Sequence, residues 1–200
     1  MEEFFAELKS CANSTEIEDF CRRKILHGIP FIFQDKEDDF YKFRQRIAQN
    51  FTIHYAEIHI TGSAMLGFSP IKKTIFDLDS DIDVAIVSSS LFETHLNKIS
   101  DYQYNLRDNR TTVRQRELDK YHQFLEYVAI GWIRPDLIPN SFTLHIFRQE
   151  WFDFFNSISY GESEVGNYKV SAGIFKSQTH LERYQLSGIE KLARALSIEV

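Results

Sequence analysis

Asp77–Val87 reads DLDSDIDVAIV, with Asp77, Asp79, Asp81 and Asp83 at alternate positions and an apolar run after them. In an extended strand, residues two apart project from one face. A strand from about Asp81 to Ser88 therefore presents Ile82, Val84 and Ile86 to an interior and puts the Asp81 and Asp83 carboxylates together on the other side. Unneutralised, they repel. Hard oxygen ligands at this spacing suit Mg²⁺, or Mn²⁺ in its place, an ion that commonly bridges one or two carboxylates to substrate phosphates. A calcium loop of the EF-hand type starting at Asp77 is excluded, because Ile82 stands where it needs glycine and Ser88 where it needs glutamate. Asp77 and Asp79 read instead as the solvated end of the preceding loop.

Upstream, HITGSAMLGFS (His59–Ser69) carries a second signal. The alternation of Ala56, Ile58 and Ile60 against Glu57, His59 and Thr61 predicts a strand over 55–61 that breaks at Gly62-Ser63, and Ala64, Met65 and Leu66 then open a helix. Glycine lets a backbone approach a ligand closely, and free amides beside a serine hydroxyl suit phosphate oxygens. A lone Gly-Ser would read more simply as a strand-to-helix turn; it is the later aspartates that give it chemical weight.

Around these two signals the chain alternates helix and strand. Phe4, Phe5 and Leu8 predict a first helix, and Thr15 with Glu18 a capping box for a second that ends at Gly28 and Pro30. Phe40, Phe43, Ile47 and Phe51 repeat at helical period. Ser90 and Glu93 open a helix, another is expected over 109–130, SFTLHIF reads as a strand, EWFDFFNSI as a short helix and NYKVSAGIF as a further strand. Thr179 and Glu182 open a last helix. The fold class expected is α/β of the α+β type, a mixed sheet packed with helices. It forms one domain over 1–200, with a helical part over 1–50, a sheet-containing core over 52–175 and a C-terminal helix over 179–197.

With 43% hydrophobic and 26% charged residues the chain should fold, and its 18 phenylalanines predict an aromatic core. A net charge of −6 argues against non-specific nucleic-acid binding by the whole surface. Cys11 and Cys21 have no metal-ligand spacing and read as reduced thiols. The acidic start MEEFFAELKS is unlike a signal peptide and no segment has the ~20 apolar residues of a membrane span, so a soluble, cytoplasmic protein without a membrane partner is expected.

TGSAMLGFS and DSDIDVAIV together resemble the signature of the DNA polymerase beta-like nucleotidyltransferase superfamily, in particular its small bacterial stand-alone members. The specific match covers Ile60 to Val87. It implies a polymerase beta-like core in which Gly62 and Ser63 hold the triphosphate of an NTP such as ATP. Asp81 and Asp83 would then be both catalytic residues and ligands of one or two Mg²⁺ ions. The acceptor would be a hydroxyl on protein, RNA or another nucleotide, in a toxin–antitoxin or antiphage setting with a partner protein from a neighbouring gene. The alternative is a nucleotide-binding regulatory module or complex subunit with the same fold and impaired catalysis. The family often adds a third carboxylate from a later strand. Here the best candidate strand, SFTLHIF, offers His145, while Asp136, Glu150 and Asp153 fall in an expected loop or helix.

Among basic residues, Lys72 and Lys73 lie in the loop between the two signals, and Arg107, Arg110 and Arg114 would share a helix face. Lys176 and Arg183 flank the start of the last helix. Each reads first as a solvated charge and second as a phosphate partner. Trp132 and Trp151 read as packing residues.

Overall fold

The computed structural model describes residues 1–108, 110, 113–138 and 142–198, with the backbone alone over 142–146. Helices α1 (Glu2–Ser10) and α2 (Ser14–Cys21) come first, and α2 runs into a π-helical turn, Arg22–Leu26. Asn13, not Thr15, caps α2: its side chain accepts from the Glu16 amide at 3.0 Å while Glu16 accepts from the Ala12 amide at 2.8 Å. Helix α3 (Glu37–Phe51) follows the expected period.

Strand β1 is shorter than its alternation suggests, Ile58–Thr61, because Tyr55–Glu57 turn as a 3-10 helix. His54 and Glu57 stabilise that turn, the Glu57 carboxylate accepting from the His54 amide at 2.8 Å and the His54 ring from the Ala56 amide at 3.2 Å. The one-turn helix α4 (Gly62–Leu66) leads into a small antiparallel hairpin, β2 (Phe68–Ser69) and β3 (Thr74–Ile75), where the sequence suggests only a loop. Strand β4 is Asp81–Val87, and Ser88 rather than Ser90 caps the next helix, α5 (Ser89–Arg107).

The helix expected over 109–130 begins later, as α6 (Gln115–Ala129); Asn109, Thr111 and Thr112 lie outside the described residues. Two-residue β5 (Trp132–Ile133) has no counterpart in the sequence reading. From Phe142 the segment expected as a strand is helical, part of α7 (Phe142–Ser157), so His145 sits in a helix; its side chain and Ser141 lie outside the described residues. Strand β6 is Lys169–Phe175 and α8 is Gln178–Ile198. Thr179 and Glu182 are both inside α8, and Glu182 pairs with Arg22 at 2.6 Å instead of capping.

The sheet is mixed, ordered β1-β4-β6-β5, with β4 and β6 parallel and both outer pairs antiparallel. Its two faces divide cleanly. Ile82, Val84, Ile86, Val170 and Ile174 join the main core with α3, α5, α6 and α7. On the other face Ala85 and Phe175 pack with Leu181 of α8 and Trp132. A separate cluster ties α1 and α2 to α8 through Phe4, Leu8, Phe20 and Ile189. Both cysteines are free, and burial pushes the Cys21 thiol up to about 12, so it stays protonated. Among the described residues no helix is long and apolar enough to cross a membrane.

Trp132 closes the second face by lying on Gly173 and stacking on Phe175, with ring centroids 5.2 Å apart and 8° between planes. A Cβ on Gly173 would stand 2.4 Å from the indole nitrogen and 3.2 Å from the Ile133 carbonyl. Gly173→Ala should therefore destabilise the fold by about 1–3 kcal/mol, the usual range for overpacking. Chemical denaturation would measure this, and an unchanged midpoint would show that the indole moves aside freely.

Candidate functional site

The candidate site forms where β1 ends and β4 begins. Thr61 pairs with Asp83 in the antiparallel register, and its hydroxyl donates to the Asp83 carbonyl at 3.3 Å. The chain then turns at Gly62, which has φ +67, a conformation that side chains with a Cβ adopt at a cost. A Cβ at Gly62 would stand 2.8 Å from Asp83 Oδ2, so glycine is required twice, for the turn and for the space. Gly62 and Asp83, widely separated in sequence, are thus in direct apposition, with half-buried Ser63 next in the chain. Helix α4 is a single turn closed by Gly67 at φ +80, so its dipole adds little and any anion affinity here rests on local amides, the Ser63 hydroxyl and nearby cations.

Gly62→Ala should cost about 1–2 kcal/mol of stability from the left-handed backbone alone and push the Asp83 carboxylate aside. Wild-type stability in that variant would show the turn to be relaxed.

Strand β6 supplies what the sequence reading missed. Its parallel register sets Lys169 beside Asp81 and Ser171 beside Asp83. Lys169 Nζ donates to Asp81 Oδ2 at 3.0 Å, and Ser171 Oγ donates to Asp83 Oδ1 at 3.1 Å. The alternation in NYKVSAGIF already puts Lys169, Ser171 and Gly173 on one face, but nothing local fixes which residues of β4 they meet. The expected third carboxylate from a later strand is therefore absent from this sheet position. Glu150 and Asp153 belong to α7, which packs on the opposite face, and Asp136 is paired with Arg134 at 2.8 Å.

The electrostatics follow from this packing. Asp83 reaches solvent on one side, yet the protein crowding its carboxylate raises its pKa above the usual range. Ser171 opposes that shift, Asp81 adds to it, and the Lys169 and Lys72 charges work against it. Lys169 in turn is held above its ordinary value, first by its bond to Asp81. Lys72, in the turn between β2 and β3, is a loop lysine whose charge acts on Asp83. Asp77 and Asp79 stay outside: the Asp77 carboxylate accepts from the Asp79 amide at 3.2 Å and the Ser80 hydroxyl at 3.1 Å, a self-contained turn.

Arg107, Arg110, Arg114 and Lys176 are not gathered here. Arg107 ends α5, Arg110 pairs with Asp108 at 3.1 Å, and Arg114 precedes α6, so the three share no helix face. Lys176 follows the far end of β6, roughly 20 Å from Lys169 at the usual rise per strand residue. Tyr184 of α8 packs on Trp132, ring centroids 4.4 Å apart, and burial first, then the neighbouring Tyr127, raise the pKa of its hydroxyl, with Asp83 a smaller contributor. Two surface hollows, one lined by Glu7, Cys11 and Arg23 and one by Tyr41, Gln49 and Tyr55, include none of these residues.

Among the described residues no three His, Cys, Asp or Glu side chains are grouped to hold a metal ion, so the protein's own donor set at this point is two carboxylates. Two carboxylates at a strand end are oxygen donors of the kind that could hold one Mg²⁺, an ion that usually takes one or two carboxylates and keeps several other oxygen ligands.

The chain matches no known family model, no characterised protein and no solved structure.

Proposed function

We propose that the chain is a nucleotidyltransferase that moves a nucleoside monophosphate from an NTP to a hydroxyl on protein, RNA or another nucleotide, within a polymerase beta-like core. One observation carries the reading: the β1–β4 register presses the Gly62 turn against the Asp83 carboxylate, joining the two signals that resemble that superfamily.

In this reading the Gly62 and Ser63 turn binds the β- and γ-phosphates, and Lys72 reaches them from the hairpin. Asp81 and Asp83 would hold Mg²⁺, which when bound would supply charge neutralisation to the triphosphate. The acceptor oxygen bonds to the α-phosphorus as the bond to the bridging oxygen breaks. Pyrophosphate leaves and the hydroxyl proton passes to solvent. The protein's contribution is alignment and a preorganised field, which together are worth many orders of magnitude in such displacements.

A second reading, nucleotide binding without turnover, is favoured by the Lys169–Asp81 contact, which occupies one oxygen of a proposed ligand. Incubating the protein with each α-labelled NTP, Mg²⁺ or Mn²⁺ and cell lysate distinguishes the two. Label transferred to protein or RNA supports the enzyme. Metal-dependent NTP binding without transfer supports the binding module. Neither transfer nor metal-dependent NTP binding would sink both.

A further inference from the structure

Among the described residues four aliphatic side chains stand more than two-thirds exposed, and three of them belong to the β2–β3 hairpin and the turn after it: Ile71 (83%), Ile75 (71%) and Leu78 (71%). The fourth, Ile198, ends α8. Scattered singly, such residues are ordinary; three of them within one short segment mark an interaction surface. The hairpin is firmly seated. Phe68 of β2 is buried edge-on to Phe4, with centroids 5.3 Å apart, and Phe76, just after β3, is buried against Phe31 and Tyr168 at 6.2 and 4.9 Å. At the tip the Lys73 amide donates to the Ser69 carbonyl at 2.8 Å and the Lys72 amide to the Ser69 hydroxyl at 3.2 Å. Alternation along the strand then turns Ile75 outward where Phe76 turns in.

The chemistry of the segment selects its partner. Residues 70–80 carry two lysines, Lys72 and Lys73, and two aspartates, Asp77 and Asp79, and therefore no net charge. Such a patch has no basic excess to hold RNA phosphates or an anionic bilayer. Three aliphatic side chains offer roughly 300 Å² of apolar surface, well below the ~800 Å² per partner of a stable interface, so the patch suits a transient encounter rather than a permanent dimer of this chain. Strand β3 has β2 on one side and no strand on the other, an edge along which an extended polypeptide can pair. The hairpin also links α4 to β4, and with them the Gly62 turn to Asp81 and Asp83, so a partner docked on it lies next to the candidate site. We propose that the β2–β3 hairpin is the docking surface for a protein acceptor: an extended segment with aliphatic residues covers Ile71, Ile75 and Leu78 and brings a serine, threonine or tyrosine hydroxyl to the site. The proposal rests on the nucleotidyl-transfer reading and narrows its acceptor to one class. The hydroxyl oxygen bonds to the α-phosphorus, pyrophosphate leaves, the proton passes to solvent, and the nucleoside monophosphate stays on the protein. Ile71, Ile75 and Leu78 touch the acceptor and not the nucleotide.

The test compares the full chain with a variant carrying Ile71→Ser, Ile75→Ser and Leu78→Ser, each incubated with α-labelled NTP, Mn²⁺ and cell lysate, the label then being sorted by protease and ribonuclease treatment. The wild type should label polypeptide. In lysate the acceptor is dilute, so the rate reads its recognition, and the triple variant should lose about tenfold or more, the effect of removing one well-buried aliphatic contact. Its Mn²⁺-dependent binding of a non-hydrolysable α,β-methylene NTP, followed by equilibrium dialysis, should equal that of the wild type. A variant with Ile71→Val, Ile75→Val and Leu78→Ile should transfer as the wild type does. Equal transfer by the serine variant would overturn the proposal and leave the nucleotidyl-transfer reading standing, as would label confined to RNA or nucleotides. Three further results have the same meaning: loss of NTP binding in the serine variant, a wild-type dimer that the variant makes monomeric in sedimentation velocity, and wild-type binding to phosphatidylcholine–phosphatidylglycerol vesicles that the variant lacks. No transfer at all by the wild type, with or without NTP binding, would overturn both.

Discussion

Asp83→Asn should leave the fold intact and lower nucleotidyl transfer on the order of a thousandfold or more, the scale seen when a preorganised charge-stabilising group is removed. The substitution keeps the shape, and Ser171 keeps an acceptor oxygen at a position where it now donates at 3.1 Å. What disappears is the charge. Asp83 is crowded by protein and by Asp81, and its pKa is raised as a result. A neutral amide would relieve that crowding, so the variant should be at least as stable as the wild type while losing metal-dependent NTP binding. Gain of stability with loss of binding is the signature of a functional carboxylate. If Asp83→Asn keeps both transfer and binding, the site lies elsewhere. Because the raised pKa means that Asp83 takes up a proton at higher pH than an ordinary aspartate, binding should also weaken on acidification earlier than an unperturbed carboxylate would allow.

The second large effect concerns His95, which the site does not use. Its ring is buried in α5 against Phe147, with centroids 4.1 Å apart, and Nδ1 donates to the Leu91 carbonyl at 2.6 Å. Burial, opposed by that bond and reinforced by Lys98, pushes its pKa down to about 4. Above pH ~6.5 the ring is neutral folded and unfolded, and the pH has no effect through it. Below that, the unfolded chain gains a proton that the folded chain refuses, so stability falls until the folded ring titrates near pH 4. The total loss is on the order of 3 kcal/mol. Urea unfolding at pH 7.5, 5.5 and 4.5 should show this slope in the wild type, and His95→Gln, which retains an amide donor for Leu91, should flatten it. Parallel curves for the two proteins would show that the acid sensitivity comes from other groups.

The parts of the fold that could be read in sequence are those whose pattern is complete within a few residues. Strand β4 was legible because Ile82, Val84 and Ile86 alternate with Asp81 and Asp83, and β6 because Val170, Ala172 and Ile174 do the same. The Gly62 turn was legible because only glycine suits it. Helix α7 was misread at its start because Phe142, Leu144 and Ile146 also alternate. Its helical period shows only further on, where Phe147, Trp151 and Phe155 recur every four residues and are all buried. Strand β5 is too short to carry any period. Lys169 and Ser171 were on the correct face, but their encounter with Asp81 and Asp83 is decided by strand register, which depends on helices and core contacts far from either strand.

The parallel contact of β4 with β6 also bears on when the site can exist. Its hydrogen bonds join residues 88 positions apart, and β6 lies between β4 and β5, both of which precede it in the chain. During synthesis, Gly62 and Asp83 can meet as soon as β1 and β4 pair, before any of β6 has been made. For that interval the two carboxylates face each other without Lys169 or Ser171. Insertion of β6, a non-local step of the kind that folds slowly, is the moment at which Lys169 and Ser171 reach the two carboxylates and the strand end takes its final charge.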